Sequence, residues 1–123
     1  MAVSEGFKDL IRDLLAEFGP VTIRNMFGGA GIYADGVMFA ILDDDVLYLK
    51  ADESSALAFR DEGMGPFTYV KEGKGAVAMS YFEVPPRLLD EPEELVAWAR
   101  VAHRIARASR ANSSRKAKSR RKR

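Results

Sequence analysis

The chain has 123 residues, with 19 Lys/Arg against 18 Asp/Glu, and no cysteine. Without cysteine there are no disulfides, thiolate nucleophiles or Cys-based zinc sites, and the single histidine, His103, cannot build a multi-histidine metal site. The near-neutral total of +1 conceals two opposed parts: residues 107–123 hold nine Lys/Arg and no acid, which leaves ten Lys/Arg against all eighteen acids in residues 1–106, a net charge of −8.

Residues 4–18 predict the first helix. Phe7, Leu10, Ile11, Leu14, Leu15 and Phe18 recur at helical period, while Glu5, Lys8, Asp9, Arg12 and Asp13 take the other face. Ser4 is the expected N-cap, and Gly19-Pro20 ends the segment. Thr22 to Phe27 reads as a strand, with a bulge or tight bend at Gly28, Gly29 and Gly31 before the extended chain continues through Ile32-Tyr33. Asp35-Gly36 signals a type I′ hairpin turn into a strand from Val37 to Leu42. Asp43-Asp44-Asp45 makes a polar turn into Val46 to Lys50. Residues 52–62 predict a second helix capped by Asp52. Phe67 to Val70 and Ala76 to Val84 form a second hairpin, and Pro85-Pro86 opens a short turn through Leu89. The last helix starts at Asp90 to Pro92, where a proline's missing N–H costs nothing.

These elements predict an α+β fold, an antiparallel sheet with helices packed on it, in the order α-β(3)-α-β(2)-α. Residues 1–106 form the domain. Residues 107–123 carry only three alanines as apolar residues, too few to offset ordering entropy, and are expected as a flexible basic tail. Along Val37 to Leu42 both alternate sets are apolar, so that strand is expected to be covered on both faces or to lie in an interface. A homodimer is the expectation.

Arg24-Asn25-Met26-Phe27-Gly28-Gly29-Ala30-Gly31-Ile32-Tyr33, followed by Asp35-Gly36 and Met38-Phe39-Ala40, resembles the signature of the TfoX N-terminal domain. Arg24, Met26, Phe27, Gly28, Gly29, Gly31 and Tyr33 carry the motif. The resemblance continues in Leu47-Tyr48-Leu49-Lys50-Ala51-Asp52, in Pro66-Phe67 with Tyr69, and in Met79-Ser80-Tyr81-Phe82 with Val84-Pro85. It covers residues 3 to 106. It implies an antiparallel-sheet domain similar in plan to secretion chaperones, and a link to regulators of DNA transformation competence (the TfoX/Sxy group). The resemblance also implies that TfoX proteins proper carry a second, C-terminal domain, in place of which a tail of 17 residues is expected here.

No catalytic constellation can be assembled, and no cofactor or metal is expected. The glycines at 28, 29 and 31 lead into a strand rather than a helix and lack the Lys-Ser/Thr of a phosphate loop, so they read as a close approach of chain to chain. Arg24 reads as a structural ion pair with a carboxylate on the first helix, or as a grip on a partner. Asp43 to Asp45 lack the ligand spacing of a calcium loop. Tyr69, Tyr81 and Phe82 read as core or interface packing rather than a base-stacking platform. His103 reads as a surface or boundary residue. Arg107, Arg110, Arg115, Lys116, Lys118, Arg120, Arg121, Lys122 and Arg123 are the candidate nucleic-acid contacts, because an acidic body repels phosphates and the tail attracts them. The leading function is a non-catalytic regulatory or adaptor domain acting through protein–protein contacts. The alternative is a nucleic-acid-associated accessory protein acting through the tail. No signal-peptide core or bilayer-length apolar stretch is present, so a cytoplasmic location is expected.

Overall fold

The computed structural model describes residues 3–26 and 28–121, with side chains described to residue 111. Helix α1 spans Glu5–Leu14, shorter than its apolar stripe predicts. Residues 15–18 leave the helix as turns, yet Leu15 and Phe18 still face the core. Ser4 caps α1 by accepting from the Phe7 amide, and is held in turn by Asp45, which accepts from both the Ser4 amide and its hydroxyl.

Six strands follow: β1 (Thr22–Met26), β2 (Gly29–Ala34), β3 (Val37–Asp43), β4 (Val46–Lys50), β5 (Pro66–Lys71) and β6 (Gly75–Glu83). Helix α2 (Glu53–Asp61) lies between β4 and β5, and α3 (Pro92–Arg121) closes the chain after a 3-10 turn at Pro86–Asp90. All neighbours pair antiparallel in the order β1-β2-β3-β4-β6-β5. The expected α+β plan is borne out. One stretch divides: the chain turns back at Gly28, where φ is 82°, so that Met26 pairs with Gly29 and the extended run becomes two strands. The expected bend is therefore a full hairpin. Phe27 lies outside the described residues. The Asp35-Gly36 and Asp44-Asp45 turns both have two consecutive positive φ values, the signature of type I′ hairpins.

The helices share one core. Ile11, Leu14 and Leu15 of the α1 segment, Ala56 and Phe59 of α2, and Leu95, Ala99 and Ala102 of α3 join Ile32, Ala40, Leu42, Leu47, Leu49 and Phe82 of the sheet. All three helices therefore cover the same face. Asp52 and Ser55 form a reciprocal capping box at the start of α2, as its N-cap reading requires.

A β-bulge explains the doubly apolar strand. Ile32 pairs with Ala40 and Tyr33 with Met38, which leaves Phe39 as an extra residue. Phe39, Ala40 and Leu42 belong to the helix-covered core. Met38 and Ile41 are left to the opposite face. Helix α3 runs unbroken through residue 106 into the basic segment, to Arg121. A helix already nucleated by packing elongates at little cost, and alanine, lysine and arginine favour it.

Candidate functional site

The face of the sheet away from the helices is the first candidate. The core that the helices share lies on the opposite face, and α3 reaches this one at its rim, through Ser109 and Arg110. Arg24 and Gly31 pair across β1 and β2, and the Arg24 guanidinium sits 5.1 Å from the centroid of the Tyr33 ring. Because α1 lies on the other side, Arg24 does not make the ion pair expected with the first helix. Lys8 on α1 reaches β1 instead: it is buried, and its Nζ donates to Asn25 Oδ1 at 2.8 Å and Glu5 Oε2 at 2.9 Å. That lysine was expected on the exposed face.

Next to Tyr33 come Met38 and Ile41 on β3, Tyr48 and Lys50 on β4, and Tyr81 on β6. Tyr81 is buried, and its hydroxyl donates to the Met38 carbonyl at 3.3 Å. Burial, with Tyr33 adding to it, pushes the Tyr81 hydroxyl up to about 12. The Tyr48 ring meets Phe67 edge-on with centroids 5.0 Å apart. Burial raises the Tyr48 hydroxyl, helped by Glu83, Asp43 and Asp44. Lys50 sits 5.2 Å over the Tyr81 ring, and burial lowers its ammonium. Phe82 points to the helices instead, against Phe59. Tyr69 is 40% exposed. Tyr81 and Phe82 thus pack on opposite faces.

The motif glycines shape this face. A Cβ on Gly29 would overlap the Leu42 carbonyl oxygen, and one on Gly31 would meet Met38 Sδ at 2.6 Å and Tyr33 Cε1 at 3.2 Å. They serve close approach, not a phosphate cradle.

The second candidate is the cationic side of α3. Where the bare face meets this helix, a cleft of about 300 Å³ is lined by Tyr33, Met38, Lys50, Tyr81, Ser109 and Arg110. Arg110 Nη1 donates to the Gly36 carbonyl at 2.7 Å. Arg107 is exposed on a second cleft of about 320 Å³, with Phe18, Asp35, Arg100, His103 and Arg104. His103 is buried, contrary to its sequence reading. It stands edge-on to Phe18 and Phe39, and its Nε2 donates to the Ala34 carbonyl at 2.9 Å. The backbone at Arg115, Lys116, Lys118, Arg120 and Arg121 is helical, but their side chains, and Lys122 and Arg123 altogether, lie outside the described residues.

Carboxylates with displaced acidity are all lowered, and all sit at the surface. Lys8 lowers Glu5, amides of the α2 cap lower Asp52, and Arg87 lowers Glu62 and Glu94. None is raised as a general acid requires. Among the described residues no group of His, Asp or Glu side chains gathers to hold a metal, and no helix is long and apolar enough to cross a membrane.

The family model of the TfoX N-terminal domain matches residues 13–106. The DNA transformation protein TfoX1 of Aliivibrio fischeri is 26% identical over 98 residues, which cover 80% of this chain and 46% of that protein. Protein Sxy of Escherichia coli K12 is 32% identical over 85 residues, covering 69% of this chain and 40% of that one. The matched region spans less than half the length of either relative. With that match over most of its length, the chain belongs to the TfoX N-terminal domain family.

Proposed function

We propose that this protein is a non-catalytic regulatory or adaptor domain, cytoplasmic, that acts through protein–protein contacts in the control of DNA transformation. The bare sheet face carries the reading. Tyr48 and Phe67 present half-buried aromatic surface on the strands, and Tyr33 and Met38 continue it to the rim where Ser109 and Arg110 of α3 come in. Faces of this composition are partner surfaces when they stay uncovered. The printed name of the TfoX1 relative, a DNA transformation protein, supports the process.

A homodimer through this face is the form expected. Light scattering of the full chain checks it: a dimer that dissociates when Tyr48 and Phe67 are both changed to Glu supports the reading. A monomer that also recovers no partner in a pull-down from its host's lysate, with the double variant behaving identically, overturns it.

A second reading is a nucleic-acid-associated accessory protein that uses the basic segment from Arg107. The helical backbone through Arg121 favours it, because a helix holds charges at fixed spacing. Full-length protein with Arg115, Lys116, Lys118, Arg120, Arg121, Lys122 and Arg123 changed to Gln should lose most of its salt-sensitive affinity for duplex DNA. Unchanged binding overturns this second reading.

A further inference from the structure

The basic surface of α3 starts before residue 107. Arg100, Arg104, Arg107 and Arg110 are spaced by four, three and three residues, which places them along one side of the helix. They span about 15 Å of axis at 1.5 Å per residue. The outer two are tied to backbone: Arg100 Nη2 donates to the Glu17 carbonyl at 2.9 Å, and Arg110 Nη1 to the Gly36 carbonyl at 2.7 Å. Between them Arg104 and Arg107 are exposed and have no hydrogen-bond or ion-pair partner among the described residues. Both line the cleft of about 320 Å³ beside Phe18 and Asp35.

Neighbouring like charges at these spacings oppose helix formation, so the row is under electrostatic tension unless an anion relieves it. Asp35, whose Oδ2 lies 3.7 Å from His103 Nε2, is the carboxylate at the cleft rim. All four cations are arginines, whose planar forks match phosphate oxygens bidentately. No large apolar side chain is exposed beside them to enter a lipid surface.

We propose that Arg104 and Arg107, held in place by the tethered Arg100 and Arg110, bind the phosphodiester backbone of duplex nucleic acid. The contact rests on the second reading above and extends it: the folded domain contributes phosphate contacts, and the acidic body is not uniformly repulsive. Two contacted phosphates release about two counterions, so these residues set part of the salt slope.

The test uses the full chain, a short DNA duplex and fluorescence anisotropy across a salt series from about 50 to 200 mM. Arg104→Gln with Arg107→Gln should weaken binding severalfold and make the slope of log affinity against log salt shallower by about two. Lys71→Gln with Lys74→Gln, an equal loss of charge on the exposed β5–β6 hairpin, should leave the slope within experimental error of the parent's. Thermal melts check that each variant folds, which is expected because all four side chains are exposed. If the arginine pair behaves like the lysine pair while the Gln-substituted tail loses binding, the proposal fails and the tail reading stands. If the parent binds no duplex at the lowest salt, both fail. If it binds anionic vesicles with an equal dependence on Arg104 and Arg107 but no duplex, the phosphodiester assignment fails.

Discussion

Phe39 and Ile41 lie two residues apart on β3 and are 0% and 3% exposed, yet different things shield them. Phe39 stacks on Phe18 at 5.0 Å and meets His103 at 5.5 Å, so elements distant in sequence close over it. Ile41 faces away from the helices, between its pairing partners Gly31 and Tyr48 on the same sheet. Its shield is made of neighbouring strand side chains. Burial alone therefore does not mark the core of this protein. One face is closed by the helices, and at Ile41 the other is closed by side chains of the sheet itself.

The largest expected effect breaks the covered face. Phe39→Ala removes a ring from the centre of the core and should cost about 3–5 kcal/mol, read as a fall in the urea midpoint. Ile41→Ala should fall near the lower limit for such truncations, about 2 kcal/mol, because the surrounding side chains can settle over the gap. An Ile41 cost that grows with protein concentration would sharpen the comparison, since only a second copy over the bare face produces it. Two of the motif glycines grade positions within the bare face. Gly29→Ala collides with backbone and should cost about 1–3 kcal/mol. Gly31→Ala meets the end of the flexible Met38 side chain, so its cost should be the smaller of the two in the same urea experiment.

Titration separates the faces again. The Tyr81 hydroxyl is held up to about 12 in the folded protein, above the ordinary tyrosine value near 10. Between those values the unfolded chain loses the proton first, so stability falls as pH rises through that window. Tyr81→Phe should flatten this alkaline loss, measured as melting temperature against pH. The smallest effect lies at the α2–α3 seam. Arg87 binds Glu62 at 2.6 Å, Glu91 at 2.7 Å and Glu94 at 2.7 Å, and keeps Glu62 and Glu94 below the usual carboxylate range. Their contribution is present above the ordinary carboxylate value and is lost as pH falls through the lowered ones. Arg87→Met should lower the melting temperature slightly at neutral pH, and the gap should close in acid and in high salt.

Much of this fold was legible from local chemistry. The stripe from Phe7 to Phe18, the Asp35-Gly36 turn, the Asp52 cap and the early Pro92 are each decided by neighbours a few residues away. The bulge was not, because Met38, Phe39, Ala40 and Ile41 are all apolar and alternation cannot show where it slips. His103 was misplaced for a related reason: its sequence neighbours include Arg104, while its burial comes from Phe18 and Phe39. Lys8 owes its burial to Asn25, seventeen positions away. Dividing charge by segment placed every expected nucleic-acid contact beyond residue 106, and it could not show that one helix carries Arg100 and Arg104 in a row with Arg107 and Arg110.

Helix α3 also carries its own optical reporter. Its 30 residues measure about 45 Å, and the stretch from Leu95 to Ala106 forms a clamp on the core, with Arg110 tied to the Gly36 carbonyl further along. Trp98, the chain's one tryptophan, sits at that clamp, edge-on to Phe59 with centroids 4.9 Å apart. Because no other residue carries an indole, intrinsic fluorescence reads the packing of α3 against α2 directly.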